Sequence, residues 1–365
     1  MLEPPPSSVA DRVRVTTSWR QAASDDLAFY LVAALCAYGV AFALLILVHP
    51  FSERIFVATS DVAGIVPPVL AGLLALVAGQ RSAEHVRTGW WCIGAGCLTW
   101  AAGEAAWTIY EVVLGEDPFP SIADAGYLAM LPLVAIGLVY LTSEGRRLLR
   151  CQPTVDGIAL TLALASLVWF FALRPTYGDS ASGIWEKAIS AAYPIGDLAV
   201  CFALAIAVQR RWDRRSATVL VALLAGMLLI VSADVGFAFQ SLNESYTATS
   251  LVNVGWPLGF LAIAAAAGMS AVWVPSYETN EGLSPPRPWR IALPVVLLPP
   301  QFALAVWSFD ANSLAASLPL SAIAAVTAVA VAISIAISFG LVREMEASRR
   351  QVVVWLDDLL HRKAA

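Results

Sequence analysis

Apolar runs long enough to cross a bilayer as helices alternate with short polar connections along most of the chain. A spanning helix needs about 20 such residues. Ten runs qualify, near 27–49, 62–80, 89–113, 123–142, 154–173, 186–209, 217–241, 249–273, 290–308 and 317–342. None shows the two-residue alternation of a membrane β-barrel strand. The pattern therefore predicts an all-α fold of about ten transmembrane helices, each satisfying its backbone within its own segment. Residues 1–25 are polar and hold Pro4, Pro5 and Pro6, which reads as a short disordered tail.

Composition agrees with the pattern. Of 365 residues 59% are hydrophobic and 13% charged, and the mean hydropathy is +0.72. This excludes an ordinary soluble domain. Charge then orients the bundle. With the N-terminus in the cytoplasm, 19 of the 22 Lys and Arg residues fall in cytoplasmic pieces, among them Arg146, Arg147 and Arg150, and Arg210, Arg211, Arg214 and Arg215. The outer pieces hold only Arg54, Arg174 and Lys187. That bias supports ten spans with both termini in the cytoplasm. The basic clusters follow topology, so nucleic-acid binding is not indicated.

The chain also resembles itself. Gly96 and Glu104 in the third run align with Gly226 and Asp234 in the seventh. SIADAGY in the fourth run aligns with SLVNVGW in the eighth, pairing Ser121, Asp124, Gly126 and Tyr127 with Ser250, Asn253, Gly255 and Trp256. A parallel four-helix unit used about two and a half times accounts for this: 26–143, 154–274 and a half unit at 288–342. Even-span repeats keep their orientation, unlike the odd-span inverted repeats of many carriers.

The polar residues within these runs are the candidate chemistry. Glu104, Asp124, Asp234 and Asn253 map to the outer half, and Asp197 lies just below. Tyr193 and Asp197 share a helix face, as do Glu104, Trp107 and Glu111. An acid inside a membrane costs about 2.5–3.5 kcal/mol on insertion scales, and no Lys or Arg lies deep in any run. Two readings stay open. One is a water-accessible pocket lined by Glu104, Trp107, Asp124, Tyr127, Tyr193, Asp197, Asp234, Asn253 and Trp256. The other is interhelical glue, a polar group per repeat that locks packing. For Asp124 and Asn253 a third is helix capping, and Ser121 itself reads as a cap. Glu111 sits at the outer edge and is expected to meet water. The first copy keeps both charges and is the better site; the second is the better scaffold.

Other residue types add little. Trp90, Trp91, Trp185, Trp273 and Trp289 lie near span ends and read as interfacial belt residues, whereas Trp100, Trp107 and Trp256 lie deeper, near the acids. The five cysteines read as small apolar filler, and the three histidines do not pair, so neither metal nor cofactor is expected. No glycine-rich phosphate loop, nucleophile elbow or HExxH occurs, so no catalytic residues are assigned and the chain is not expected to be an enzyme.

The tenth run continues into a polar, helical segment, 343–365. Val342, Met345, Arg349, Val352, Leu356 and Leu359 recur at intervals of three and four, an a/d seam that fits a short parallel homodimeric coiled coil. The alternative is an amphipathic helix on the membrane surface.

These motifs resemble those of one family. The run W-x8-W-x3-E-x2-W from Trp91 to Trp107, then PFPSIADAGYLAMLP, RRLLR, and AYPIGDL at 192–198, resembles the membrane input regions that precede GGDEF and EAL domains in bacterial cyclic-di-GMP signalling proteins. The resemblance covers roughly 88–275. It implies a sensory or signal-transmitting module with a cytoplasmic output domain or partner. No GGDEF or EAL motif occurs in this sequence, so cyclase activity is not carried over. The alternatives are a cation- or amine-coupled carrier and a structural membrane subunit.

Overall fold

The computed structural model describes residues 9–142, 183–209, 213–242 and 245–273, with isolated positions between 158 and 165. The ninth and tenth runs, nearly all of the fifth, and the seam residues Val342, Met345, Val352, Leu356 and Leu359 lie outside the described residues. Among those described, regular structure is helical throughout: α1 Val9–Val48, α2 Glu53–Gln80, α3 Glu84–Thr108 continuing into a π turn Ile109–Leu114, α4 Ile122–Thr142, α5 Ile184–Gln209, α6 Arg214–Leu242 and α7 Val252–Trp273.

Six of these are long and apolar enough to span a bilayer: Gln21–Val48 of α1, then α2, α4, α5 (Ile184–Ala205), α6 (Arg214–Ser241) and α7. The protein is a polytopic membrane protein. α3 is as long, at 25 residues, but its glycines, tryptophans and Glu104 dilute its hydropathy. Two boundaries differ from the hydropathy reading. α1 is already helical from Val9, within the segment expected to be a tail. α2 starts at Glu53, nine residues ahead of the expected start of the second run, because a helix can continue past the apolar stretch into polar solvent or headgroups.

α1–α4, α6 and α7 belong to one compact unit. Short connections make α1–α2, α2–α3, α3–α4 and α6–α7 antiparallel pairs, and the ends of α1 and α3 lie with the starts of α2, α4 and α7. At the opposite end, the Arg81 guanidinium donates to the Ala271 carbonyl (3.0 Å), and Arg215 pairs with Asp25 (3.1 Å) while lying over the Trp273 ring. α7 occupies the centre: 78% of its spanning window is buried, against 22% for α1 at the rim. Its small residues, Ala264 to Gly268, let neighbours approach closely. α2 presents a similar face of Gly64, Pro67, Ala71, Gly72, Ala75, Ala78 and Gly79. Lipid provides no hydrophobic drive between helices, so close packing of small residues has to hold them together. Prolines 67, 68, 132 and 257 sit inside helices, as membrane helices tolerate.

The α3–α4 and α6–α7 hairpins share one contact register. A Cβ on Gly126 would stand 2.6 Å from the Thr99 carbonyl oxygen, and one on Gly255 would stand 3.5 Å from that of Leu229. A Cβ on Gly96 would stand 3.2 Å from the Met130 carbonyl oxygen, and one on Gly226 would stand 2.6 Å from that of Gly259. Each second contact falls where the sequence alignment of the two hairpins puts it.

Trp90 departs from the belt expectation. It is wholly buried, because its position on α3 turns it into the bundle, while Trp91 beside it is 45% exposed and carries Arg87 over its ring. α5 belongs to the second unit.

Candidate functional site

The polar groups converge where α3 ends. Glu104 lies one turn before the end of α3, and its Oε2 accepts the Tyr127 hydroxyl of α4 at 3.0 Å. On its other side is Gly64 of α2; a Cβ there would come within 3.3 Å of Glu104 Oε1. The small residue makes room for the carboxyl between α2 and α4. The Tyr127 ring packs on Trp100 at 4.6 Å, and Trp100 packs on Phe260 of α7 at 5.4 Å. An aromatic floor thus separates Glu104 from the middle of the bundle.

Two further acids join it. Asp61, one turn before Gly64 on α2, stands within coulombic range of Glu111 and Glu104. Its Oδ2 is shut off from solvent, with no hydrogen-bond donor among the described residues. Glu111, inside the π turn, accepts the Trp107 indole N–H at 2.6 Å. It does not simply meet water, as its edge position suggested, because the indole holds it and it is half-buried. No Lys or Arg lies within ion-pair distance of these three carboxyls among the described residues, and no group of three or more His, Cys, Asp or Glu there has metal-binding geometry.

Tyr246, in the connection between α6 and α7, links this cluster to the second polar position. It keeps 38% of its surface open, yet crowding of its hydroxyl end pushes the phenol up to about 12. The charges of Glu111, Glu104 and Asp61 raise it further. Its ring meets Phe237 edge-on at 4.8 Å, and Phe237 meets Trp256 at 5.9 Å. Trp256 donates its indole N–H to Asp234 Oδ1 at 2.8 Å. Both hairpins therefore hold a carboxylate on the first helix by a donor on an aromatic ring of the second.

The other expected residues divide. Asp124 Oδ2 accepts the Ser121 amide (2.7 Å) and hydroxyl (3.2 Å), while Ser121 Oγ accepts the Ala123 amide at 3.2 Å. This is a reciprocal cap at the start of α4, the third reading raised for Asp124. Asn253 donates to the Thr247 and Ala248 carbonyls and accepts the Tyr246 hydroxyl, tying down the α6–α7 connection. Tyr193 and Asp197 share one face of α5, in the second unit, with Asp197 buried near Cys201.

Sequence reasoning missed Asp61 and Tyr246. Asp61 fell one residue outside the second apolar run. A signal was available all the same: an acid inside a helix that long is a functional hypothesis by default. Tyr246 sits in a connection, and nothing in the local sequence points it at the acids. A groove of about 640 Å³ beside the cluster is apolar, lined by Arg54, Ile55, Thr59, Val62 and Val66 of α2 and by Val112 of the π turn.

No protein-family model, no curated protein and no solved structure matches the chain.

Proposed function

We propose that this protein is a membrane-embedded sensory and signal-transmitting module, the input part of a bacterial cyclic-di-GMP-type signalling system. It reads a ligand or a membrane state at the end of the bundle where Asp61, Glu104 and Glu111 meet. The observation that supports this most is that cluster: three carboxyls, no Lys or Arg within ion-pair distance of them among the described residues, and an aromatic floor below. Placing so many acids together is costly, and packing does not require it, since one polar group per hairpin would serve as glue. In this reading the cluster faces outward, both termini are cytoplasmic, and the chain dimerises through Val342, Met345, Val352, Leu356 and Leu359. A change at the cluster passes along the helices to that seam and on to a cytoplasmic output domain or partner.

The matching glycine-on-carbonyl contacts and carboxylate–aromatic bonds of the two hairpins support the duplicated four-helix unit. The second hairpin keeps one acid and acts as scaffold.

The lack of an ion-pairing Lys or Arg at the cluster among the described residues favours one competing reading, a carrier for a cation or small amine. Uptake into proteoliposomes separates them. The sensory reading expects none, whereas uptake abolished by Glu104→Gln and by Asp61→Asn would overturn it. Cysteine crosslinking along 342–359 tests the transmitter: a heptad pattern is expected, and a uniform one would refute the coiled coil. A cyclase, phosphodiesterase or kinase encoded immediately downstream would support the class.

A further inference from the structure

We propose that the π turn Ile109–Leu114 is a two-register joint whose register is set by the charge on Asp61, Glu104 and Glu111. The inference rests on the reading of that end as the sensed one and supplies its moving part. An i→i+5 turn holds one residue more than the α ladder, and π turns inside helices recur at functional sites. Conversion to the α register would turn the backbone after the joint by about 100°, the rotation of one residue at 3.6 per turn.

Local chemistry puts the two registers close in energy. The Thr108 hydroxyl takes the Glu104 carbonyl at 2.8 Å, where the ladder changes step, and such back-bonding weakens and bends helices. Ile109, Val112 and Val113 are β-branched and lose rotamer freedom in a helix. No residue of the turn is buried, and Val112 borders the open groove on α2, so a rotation meets space rather than packed core. Beyond the turn, Gly115 at φ 69° leads into an irregular connection that can absorb the change.

The charges supply the bias. Around the turn stand Asp61 and Arg54 on α2, Glu104 on α3 with Tyr127 of α4 bonded to it, Tyr110 and Glu111 in the turn itself, Tyr246 before α7, and Glu116, whose amide donates to the Tyr110 carbonyl. In the π register the indole of Trp107 holds Glu111 on the side of the turn whose next residue, Val112, borders α2, and its charge acts on Asp61 there. A proton or bound cation on the cluster removes the repulsion and holds that register. Full ionisation penalises it and favours the α register, which moves Glu111 away from Asp61 and rotates Leu114. The α3–α4 connection then shifts against the Ser121–Asp124 cap.

Pulsed electron resonance on the full chain in nanodiscs tests this, with the native cysteines replaced and spin labels at Leu114→Cys and Leu251→Cys, both exposed positions. The expected result is two distance populations. Acidification, Asp61→Asn and Glu111→Gln should each enrich the same one, and deleting Val113 should enrich the other. Thr108→Val, a milder change, should move the balance in the direction of the deletion, which keeps the test open if the deletion fails to fold. A single population that neither pH nor any of these variants moves would overturn the joint. Because uptake and crosslinking involve neither label, failure here leaves the sensory reading standing and is distinguishable from failure of that reading.

Discussion

Gly126→Ala is the sharpest test of how the α3–α4 hairpin is held. A Cβ at this position would stand 2.6 Å from the Thr99 carbonyl oxygen, 2.8 Å from the Gly103 nitrogen and 2.9 Å from the Gly103 Cα. All three are backbone atoms on α3, so no rotamer change relieves the clash. The helices must separate by several tenths of an ångström, and helices in lipid depend on that proximity for their attraction. Overpacking of this kind costs about 1–3 kcal/mol. The separation also draws Tyr127, the next residue, away from Glu104, to which it is bonded at 3.0 Å. Reversible unfolding in mixed micelles, followed by circular dichroism, measures the loss. Gly236→Ala on α6 is the comparison, since its nearest contacts are two methyls of one Val252 side chain, at 3.0 and 3.9 Å. It should lose distinctly less. If Gly126→Ala proves as stable as the parent protein, the close helix contact is wrong, and so is the placement of Tyr127 that follows from it.

Three further expectations follow from the same geometry. A double-mutant cycle of Tyr127→Phe with Glu104→Gln should show a coupling of about 0.6–1.7 kcal/mol, typical of hydrogen bonds between membrane helices. The Trp256→Phe, Asp234→Asn cycle should fall in the same range, and zero coupling in both would remove the parallel between the hairpins. Asp124→Ala should destabilise the start of α4 by about 0.5–2 kcal/mol, as cap removal does. Hydrogen exchange should speed up over residues 121–125 and leave the Glu104 end of α3 unchanged. Tyr246 should ionise near 12 by ultraviolet titration against Tyr246→Phe, above the usual value of about 10. Its folded form holds the proton more tightly than the unfolded chain does. Its effect on stability is therefore nil below the usual phenol value, and stability falls as pH rises from there toward 12.

The amino-acid sequence alone determined that this is a helical membrane protein, and where the six candidate spans of the described residues lie. Hydropathy over about twenty residues is a local quantity, and a bilayer forces each such stretch to close its own hydrogen bonds, so no tertiary knowledge is needed. The alignment of Glu104 with Asp234, and of Tyr127 with Trp256, was legible for the same reason: it is a pattern in one dimension. The Tyr127–Glu104 and Trp256–Asp234 bonds agree with it. Only the tertiary structure decided which acids meet. Asp124 looked equivalent to Glu104 by its place in an apolar run, but its carboxyl bonds Ser121 at the helix start. Asp61 looked like a connection residue, yet the early start of α2 carries it two turns inside, next to Gly64 and within reach of Glu104. Glu111 looked solvated, but a π turn, which no local pattern announces, holds it against the same group. The approach of side chains from different helices depends on rotation about each helix axis. That rotation is set by where glycines let backbones touch, and it can be read only once the helices are packed.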